Sequence, residues 1–306
     1  MKTIKLKGYK DFELVCYLWD KVENPKGVFQ IIHGMQEHAK RYDDFAKYLN
    51  KKGFIVFASD LRGHGETALL HNLPQGYSDG DIFMETVYDQ MRITDYLLET
   101  YKLPISVLGH SYGSFIAQRY VLEYGFKIKN LMLSGSTYTN SFAFKSGHIV
   151  ACLNKLLGRK KKTAKLIENI SIKAYGKGFA NGNWLSRDES VWEDYQKDEF
   201  CGKPFPNNFY WSLFKNGRKN YKNLKNIPYY LPILIMSGTS DPVAGKRGNG
   251  VISLFFKYGK ARKRVFFKSY LDARHEILNE TCKDNVYDNI SEFALSDNIP
   301  HINYNM

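Results

Sequence analysis

The sequence predicts an α/β protein: a mostly parallel sheet covered by helices on both faces and interrupted once by a helical insertion. Two observations carry this. Short apolar runs ending in Gly, Ser or Asp alternate with longer helical patterns, the rhythm of buried parallel strands and their crossovers. That rhythm then fails across 137–230, where Trp, Phe, Gly and Lys are scattered without a strong strand. An unstructured loop of such length does not belong inside a compact domain, so a helical cap is expected at 138–228, flanked by core segments 1–137 and 229–306.

Element by element, alternation of charged and apolar residues at 3–6 and 12–19 suits an N-terminal hairpin. Buried strands follow at GVFQIIHG (27–34), GFIVFASDL (53–61), ISVLGHS (105–111), NLMLSGS (130–136), LPILIMSG (231–238) and RVFFKSY (264–270). Helical periodicity marks 42–51, 83–101, 113–124 and 284–295.

Composition narrows the class. At 43% hydrophobic and 25% charged, the 306 residues read as a soluble globular chain rather than a disordered or fibrous one. No run approaches the roughly 18 apolar residues of a membrane span, and the amino terminus lacks the apolar block of a signal peptide. A cytoplasmic protein is expected, either free or peripheral at the inner membrane surface. Cys16, Cys152, Cys201 and Cys282 are widely spaced and form no CxxC pair, so reduced, mostly buried thiols are expected, without disulfide or zinc. No phosphate loop, dinucleotide fingerprint or H-E-x-x-H zinc motif occurs, and no metal or other cofactor is expected.

The chemistry centres on GHSYG (109–113), a G-x-S-x-G pattern directly after an apolar strand and directly before a helical one. A nucleophile on such a strand-to-helix turn has a strained backbone, and its flanking residues must be small for the turn to close. Ser111 is therefore the candidate nucleophile. A serine hydroxyl needs a base and an orienting acid. His275 follows the last strand, whereas His148 lies in the insertion and His301 in the tail; Asp241, in SGTSDPV, ends the preceding strand. Ser, Asp, His is the chain order this elbow uses. Oxyanion donors are expected from the backbone amides of Tyr112 and of Met35, in HGMQEH after the 27–34 strand. Asp60, Arg62 and His64 of DLRGHG are read as braces of the neighbouring loop rather than as catalytic groups.

HGMQEHAKRYDDFAKYLNKKGFIVFASDLRGHGET (33–67), GHSYG, SGTSDPV and ARHEILNE (273–280), with NWLSRDESVWEDYQKDEFCG (183–202) in the insertion, resemble the monoacylglycerol lipase/lysophospholipase branch of the α/β-hydrolases, also labelled serine aminopeptidase S33. The resemblance implies an eight-stranded α/β-hydrolase sheet, a lid, and the same roles for Ser111, Asp241, His275, Met35 and Tyr112. Two departures stand out: Ser114 where the family often has Gly, and Glu66-Thr67 after RGHG, where a Ser is usual in the second position.

Net charge is +13, from 44 Lys+Arg against 31 Asp+Glu, but it is local. Residues 145–187 hold ten basic side chains and one acidic, Glu168; residues 246–268 hold eight basic and none acidic. The first stretch is interleaved with Ile149, Val150, Leu153, Leu156, Leu157, Leu166, Ile167 and Ile170. Such a segment either rests on an anionic lipid surface or covers the acyl pocket while its lysines face water. No recognition motif supports nucleic-acid binding. The expected activity is hydrolysis of carboxylic esters, foremost monoacylglycerol- or lysophospholipid-type lipids. The alternatives are a proline-iminopeptidase-like peptidase, a small-ester esterase, a thioesterase, or a non-enzymatic basic binding protein on a hydrolase scaffold.

Overall fold

Strands that are apolar at nearly every position must be covered on both faces. The computed structural model, which describes residues 1–261 and 263–296, meets that requirement with one eight-stranded sheet in the order β1-β2-β4-β3-β5-β6-β7-β8. The strands are β1 (Lys2–Lys7), β2 (Glu13–Trp19), β3 (Gly27–Ile32), β4 (Phe54–Ser59), β5 (Ile105–His110), β6 (Asn130–Ser134), β7 (Pro232–Gly238) and β8 (Arg264–Tyr270). β1 and β2 form the antiparallel hairpin, β2 joins β4 antiparallel, and every other pair is parallel. All the expected strands are present, several ending earlier than the apolar run: the 27–34 strand stops at Ile32, leaving His33 and Gly34 to a loop.

The described helices are α1 (Asp43–Lys51), α2 (Gly65–Leu70), α3 (Ile82–Tyr101), α4 (Tyr112–Tyr124), α5 (Phe142–Leu156), α6 (Lys165–Ile170), α7 (Ile172–Tyr175), α8 (Glu189–Lys197), α9 (Asn207–Gly217), α10 (Asn249–Lys260) and α11 (Lys283–Leu295). Sequence periodicity did not reveal α2 or α10. The α10 segment, NGVISLFFKYGK, is rich in glycine and β-branched residues, which are weak helix formers. Its helix depends on burying Val251, Leu254 and Tyr258 against the core. His301 lies outside the described residues.

Alternation along the strands divides the apolar side chains between two cores. Val28, Ile32, Val107, Leu131 and Ile233 point to the face covered by α3, α4 and α10. Phe29, Ile31, Leu108, Met132 and Leu234 point to the face covered by α1 and α11. Helices α5 to α9 all fall between β6 and β7, and strand pairing among them is limited to one isolated bridge, Thr163 to Pro206. No described helix is long and apolar enough to cross a membrane.

Asp60 and Arg62 act as braces, while among the described residues the His64 ring hydrogen-bonds only the Arg62 carbonyl, at 3.1 Å from its Nδ1. Asp60 accepts hydrogen bonds from the amides of Ala39 and Glu66 (2.8 and 2.7 Å) and from the Tyr17 hydroxyl (3.2 Å). Arg62 grips Asp89 of α3 through two hydrogen bonds, at 2.9 and 2.8 Å, with both side chains buried. All four cysteines are free, yet only Cys16 and Cys201 are buried; Cys152 and Cys282 are half-buried, because each sits on a helix face or end at the surface. Breaking a buried ion pair strands the remaining charge, so Arg62→Met should lower unfolding stability by about 3–5 kcal/mol. Chemical denaturation against the unaltered chain measures this.

Candidate active site

The carboxyl edge of a parallel sheet is where its loops converge, and four of them meet here. β5 ends at His110, Ser111 follows at φ 50° and ψ −118°, and α4 starts at Tyr112. A non-glycine residue in that region of backbone space is strained and persists only when its surroundings enforce it. Close packing supplies the enforcement: a Cβ on Gly113 would lie 2.0 Å from the Ile32 carbonyl oxygen and 2.4 Å from that of His33, so α4 can press onto the β3 loop only with glycine there. Ser114, the departure from the family pattern, is absorbed: its hydroxyl donates to the Ser111 carbonyl (2.5 Å) and bonds Ser136 Oγ (2.7 Å).

Asp241 stands at the turn after β7 and His275 in the loop after β8. His275 Nδ1 lies 3.0 Å from Asp241 Oδ1, which also accepts the Val243 amide at 2.8 Å. The aspartate is held by its own turn and in turn holds the imidazole. Both side chains are buried. Gly135 (φ 57°) makes room on the opposite side: a Cβ there would fall 2.8 Å from His275 Cε1 and 3.0 Å from His110 Cε1. Burial alone would push the His275 imidazole down, but the Asp241 charge and hydrogen bond, with Glu276 and Glu37 beyond, outweigh it and raise its pKa above the ordinary value. His110 is pushed the other way, to about 4, by burial and by His275.

Met35 lies in the loop after β3, and Tyr112 is the first residue of α4, so its amide belongs to the turn whose N–H groups have no intrahelical partner. Ser111, His275, Met35 and Tyr112 all line one cavity, with Asp241 just behind His275. The five residues singled out from the sequence are therefore brought together.

Sequence reasoning missed the support beneath them. Gly34 donates its amide to Glu37 Oε1 at 2.5 Å, fixing the turn that carries Met35. Arg41 bonds Glu37 Oε2 at 2.9 Å and clasps Glu276, the residue after His275, with two bonds of 2.7 Å. Burial would raise the Glu276 carboxyl, but Arg41 outweighs that and holds it at about 2. Trp184 packs its ring on His275 at 4.9 Å, and its carbonyl accepts the His275 amide. Glu37 and Arg41 stand four apart in the HGMQEHAKRY stretch, but nothing in it points to a partner 235 residues away.

Among the described residues one group has metal-ligand atoms within 4.8 Å of one another: His38, Asp198 and Cys201. His38 Nε2 and Asp198 Oδ2 already satisfy each other at 2.8 Å, and burial raises the Cys201 thiol's pKa, against the thiolate a metal requires. The group is accounted for as a tie between the insertion and the core.

The profile of the serine aminopeptidase S33 family matches residues 23–282. The chain belongs to this family. Among its S33-type relatives, a monoacylglycerol lipase of Mycolicibacterium smegmatis is 28% identical over 294 residues, covering 94% of this chain and 95% of that one. A mouse monoglyceride lipase is 26% identical over 77% and 72% of the two chains. In three dimensions a carboxyl esterase from Bacillus coagulans superposes with a TM-score of 0.86 at 24% identity, covering 96% and 99%. A Saccharomyces cerevisiae monoglyceride lipase superposes at 0.74 and 19%, covering 96% and 94%. These likenesses establish the α/β-hydrolase fold for the S33 chain described here.

Because Asp241 is what keeps His275 protonatable in a buried site, Asp241→Asn should drop the imidazole pKa from above about 6.5 to below it. A histidine-resolved NMR titration reads this directly. His110 should stay neutral down to about pH 4 in the unaltered chain.

Proposed function

We propose that the chain is a cofactor-free serine hydrolase of carboxylic esters, acting on monoacylglycerol- or lysophospholipid-type lipids. The observation that carries this reading is Ser111 on a strained elbow beside a buried His275–Asp241 pair, all opening on a largely apolar cavity. Ser111 Oγ attacks the acyl carbonyl while His275 takes its proton. Asp241 fixes the tautomer with Nδ1 protonated and stabilises the imidazolium. The Met35 and Tyr112 amides receive the negative charge that develops on the carbonyl oxygen. His275 then protonates the leaving alcohol, and water, activated by the same imidazole, releases the acid.

Lipid-like substrates are favoured by the walls, among them Phe115, Phe144, Ile172, Leu213 and Phe214. The names of the bacterial and mouse lipases point the same way. An aminopeptidase reading needs a carboxylate to meet the substrate ammonium. Glu37 and Glu276 line the cavity, but their carboxylate oxygens are already engaged by Arg41, the Gly34 amide, the Tyr42 hydroxyl and the Asn279 side-chain amide.

Residues 138–228 act, in this reading, as the cap. The cavity measures about 100 Å³, below the roughly 300–1,000 Å³ of pockets that bury drug-sized ligands. A long acyl chain therefore requires the α5–α7 side to yield. Six of the apolar residues in the basic stretch, Ile149, Leu153, Leu156, Leu157, Leu166 and Ile170, are exposed rather than turned to the acyl cavity, since α5 packs on α9 through Phe144, Gly147 and Ala151. That outward display favours peripheral contact with an anionic membrane over a purely pocket-covering role.

Ser111→Ala should cut p-nitrophenyl ester turnover by about 10⁴-fold or more and abolish fluorophosphonate labelling. Full labelling of that variant would rule the nucleophile out. Since the base must be neutral, kcat/KM should fall as pH drops, with the midpoint of the acid limb above the ordinary imidazole value of about 6.5.

A further inference from the structure

The basic run RKKK (159–162) between α5 and α6 is anchored. Asn207, buried at the start of α9, donates its side-chain amide to the carbonyls of Arg159 (3.0 Å) and Lys162 (2.8 Å) and accepts from Asn154 (3.0 Å). The backbone amides of Asn207 and Asn208 bond the Lys162 and Lys160 carbonyls at 2.9 and 3.1 Å. With its carbonyls tied inward, the loop turns its side chains out. Arg159, Lys161 and Lys162, with Lys165 at the start of α6, line an open groove of about 830 Å³. Its apolar lining comes from Val150, Leu153 and Leu166.

Among the described residues, none of these four cations is paired with a carboxylate within 4.0 Å. Of the four, Lys161 acts on Asp79, which is engaged by the Tyr77 hydroxyl, and its ammonium lies 5.2 Å over the Tyr77 ring. Leu156 and Leu157 project beside the loop, 83% and 65% exposed. Concentrated positive charge flanked by exposed leucines complements a molecule that is anionic at one end and apolar at the other. A free phosphate would leave the leucines in water. A single-stranded nucleic acid would seek aromatic faces on which to stack, and the groove lining has none.

We propose that this groove holds the phosphate head group of an anionic phospholipid in a bilayer, with Leu153, Leu156 and Leu157 entering the interface beside it. α5 lines both places, through Phe144 in the acyl cavity and Val150 and Leu153 in the groove. Seating the groove on a bilayer thus brings the acyl cavity to the lipid surface. The inference rests on reading 138–228 as the cap of a lipid-ester hydrolase.

Flotation with phosphatidylcholine vesicles, with and without phosphatidylglycerol, tests it, alongside turnover of dissolved p-nitrophenyl acetate by the same preparation. Binding is expected only to the vesicles containing phosphatidylglycerol. Lys161→Gln, Lys162→Gln and Lys165→Gln together should weaken it about a hundredfold, with dissolved-ester turnover and thermal melting unchanged. Leu156→Ser with Leu157→Ser should weaken it about tenfold at constant charge. Removing equal charge elsewhere, at Lys222, Lys225 and Lys260, should leave binding nearly intact. Equal loss in that control overturns the proposal, as does binding of inorganic phosphate without binding to vesicles, or tighter binding to an oligonucleotide than to vesicles. Ester turnover without vesicle binding defeats the groove and leaves the hydrolase standing. Vesicle binding without turnover defeats the hydrolase reading and leaves the groove.

Discussion

One largely enclosed guanidinium holds the site in register. Arg41 sits between Glu37, in the loop after β3, and Glu276, in the loop after β8, and so ties together segments from opposite halves of the sheet. Through Glu37 it fixes the Gly34 amide and the turn carrying Met35; through Glu276 it fixes the backbone next to His275. A carboxylate buried here without Arg41 would be costly, and an arginine without both acids equally so. The three side chains are therefore stable only as a set, and their being satisfied at once requires both loops to be in place. The strain at Ser111 is held by the close packing of Gly113 on the β3 loop, whose turn Glu37 fixes.

The insertion is joined to the same loops. The Gly202 amide donates to the Gln36 carbonyl (3.0 Å), and the Gln36 side chain reaches Glu168 (2.9 Å), a buried acid that also collects Tyr210 and the Phe205 amide. Arg274 bonds the carbonyls of Asn183 and Ser186 (2.6 and 2.9 Å), and Glu280 receives Arg187. The residues flanking Met35 and His275 in the chain are thus the ones that grip the insertion. These ties lie at 183–202 and, through Glu168, on α6 itself.

The charge has two different physical origins. In the 246–268 stretch, Lys257 and Lys260 end α10, where cations complement the helix dipole, and Arg264 and Lys268 lie on β8, an edge strand that charge protects from pairing with another sheet. Those positions need no ligand to explain them. In the 145–187 stretch Lys155 likewise ends α5 and Arg187 pairs with Glu280, but Arg159 to Lys162 and Lys165 have no such account, because they cluster on and beside an anchored loop among exposed leucines.

Much was legible in advance. Apolar runs with their terminal Gly, Ser and Asp specify the strands, since burial on both faces leaves few other residues acceptable. GHSYG specifies its own geometry, because the chemistry of a tight turn is local. The chain order of Ser111, Asp241 and His275 followed from their places at strand ends. What the tertiary structure alone decided is of another kind. Arg41 meets Glu276, Gln36 meets Glu168, and Trp184 meets His275 only once the sheet order sets distant loops side by side, and no local spacing encodes such a meeting. The same holds for the basic stretch: its alternation of Lys and Leu is compatible with facing either the cavity or solvent. Packing of Gly147 and Ala151 onto α9 chose the outward face.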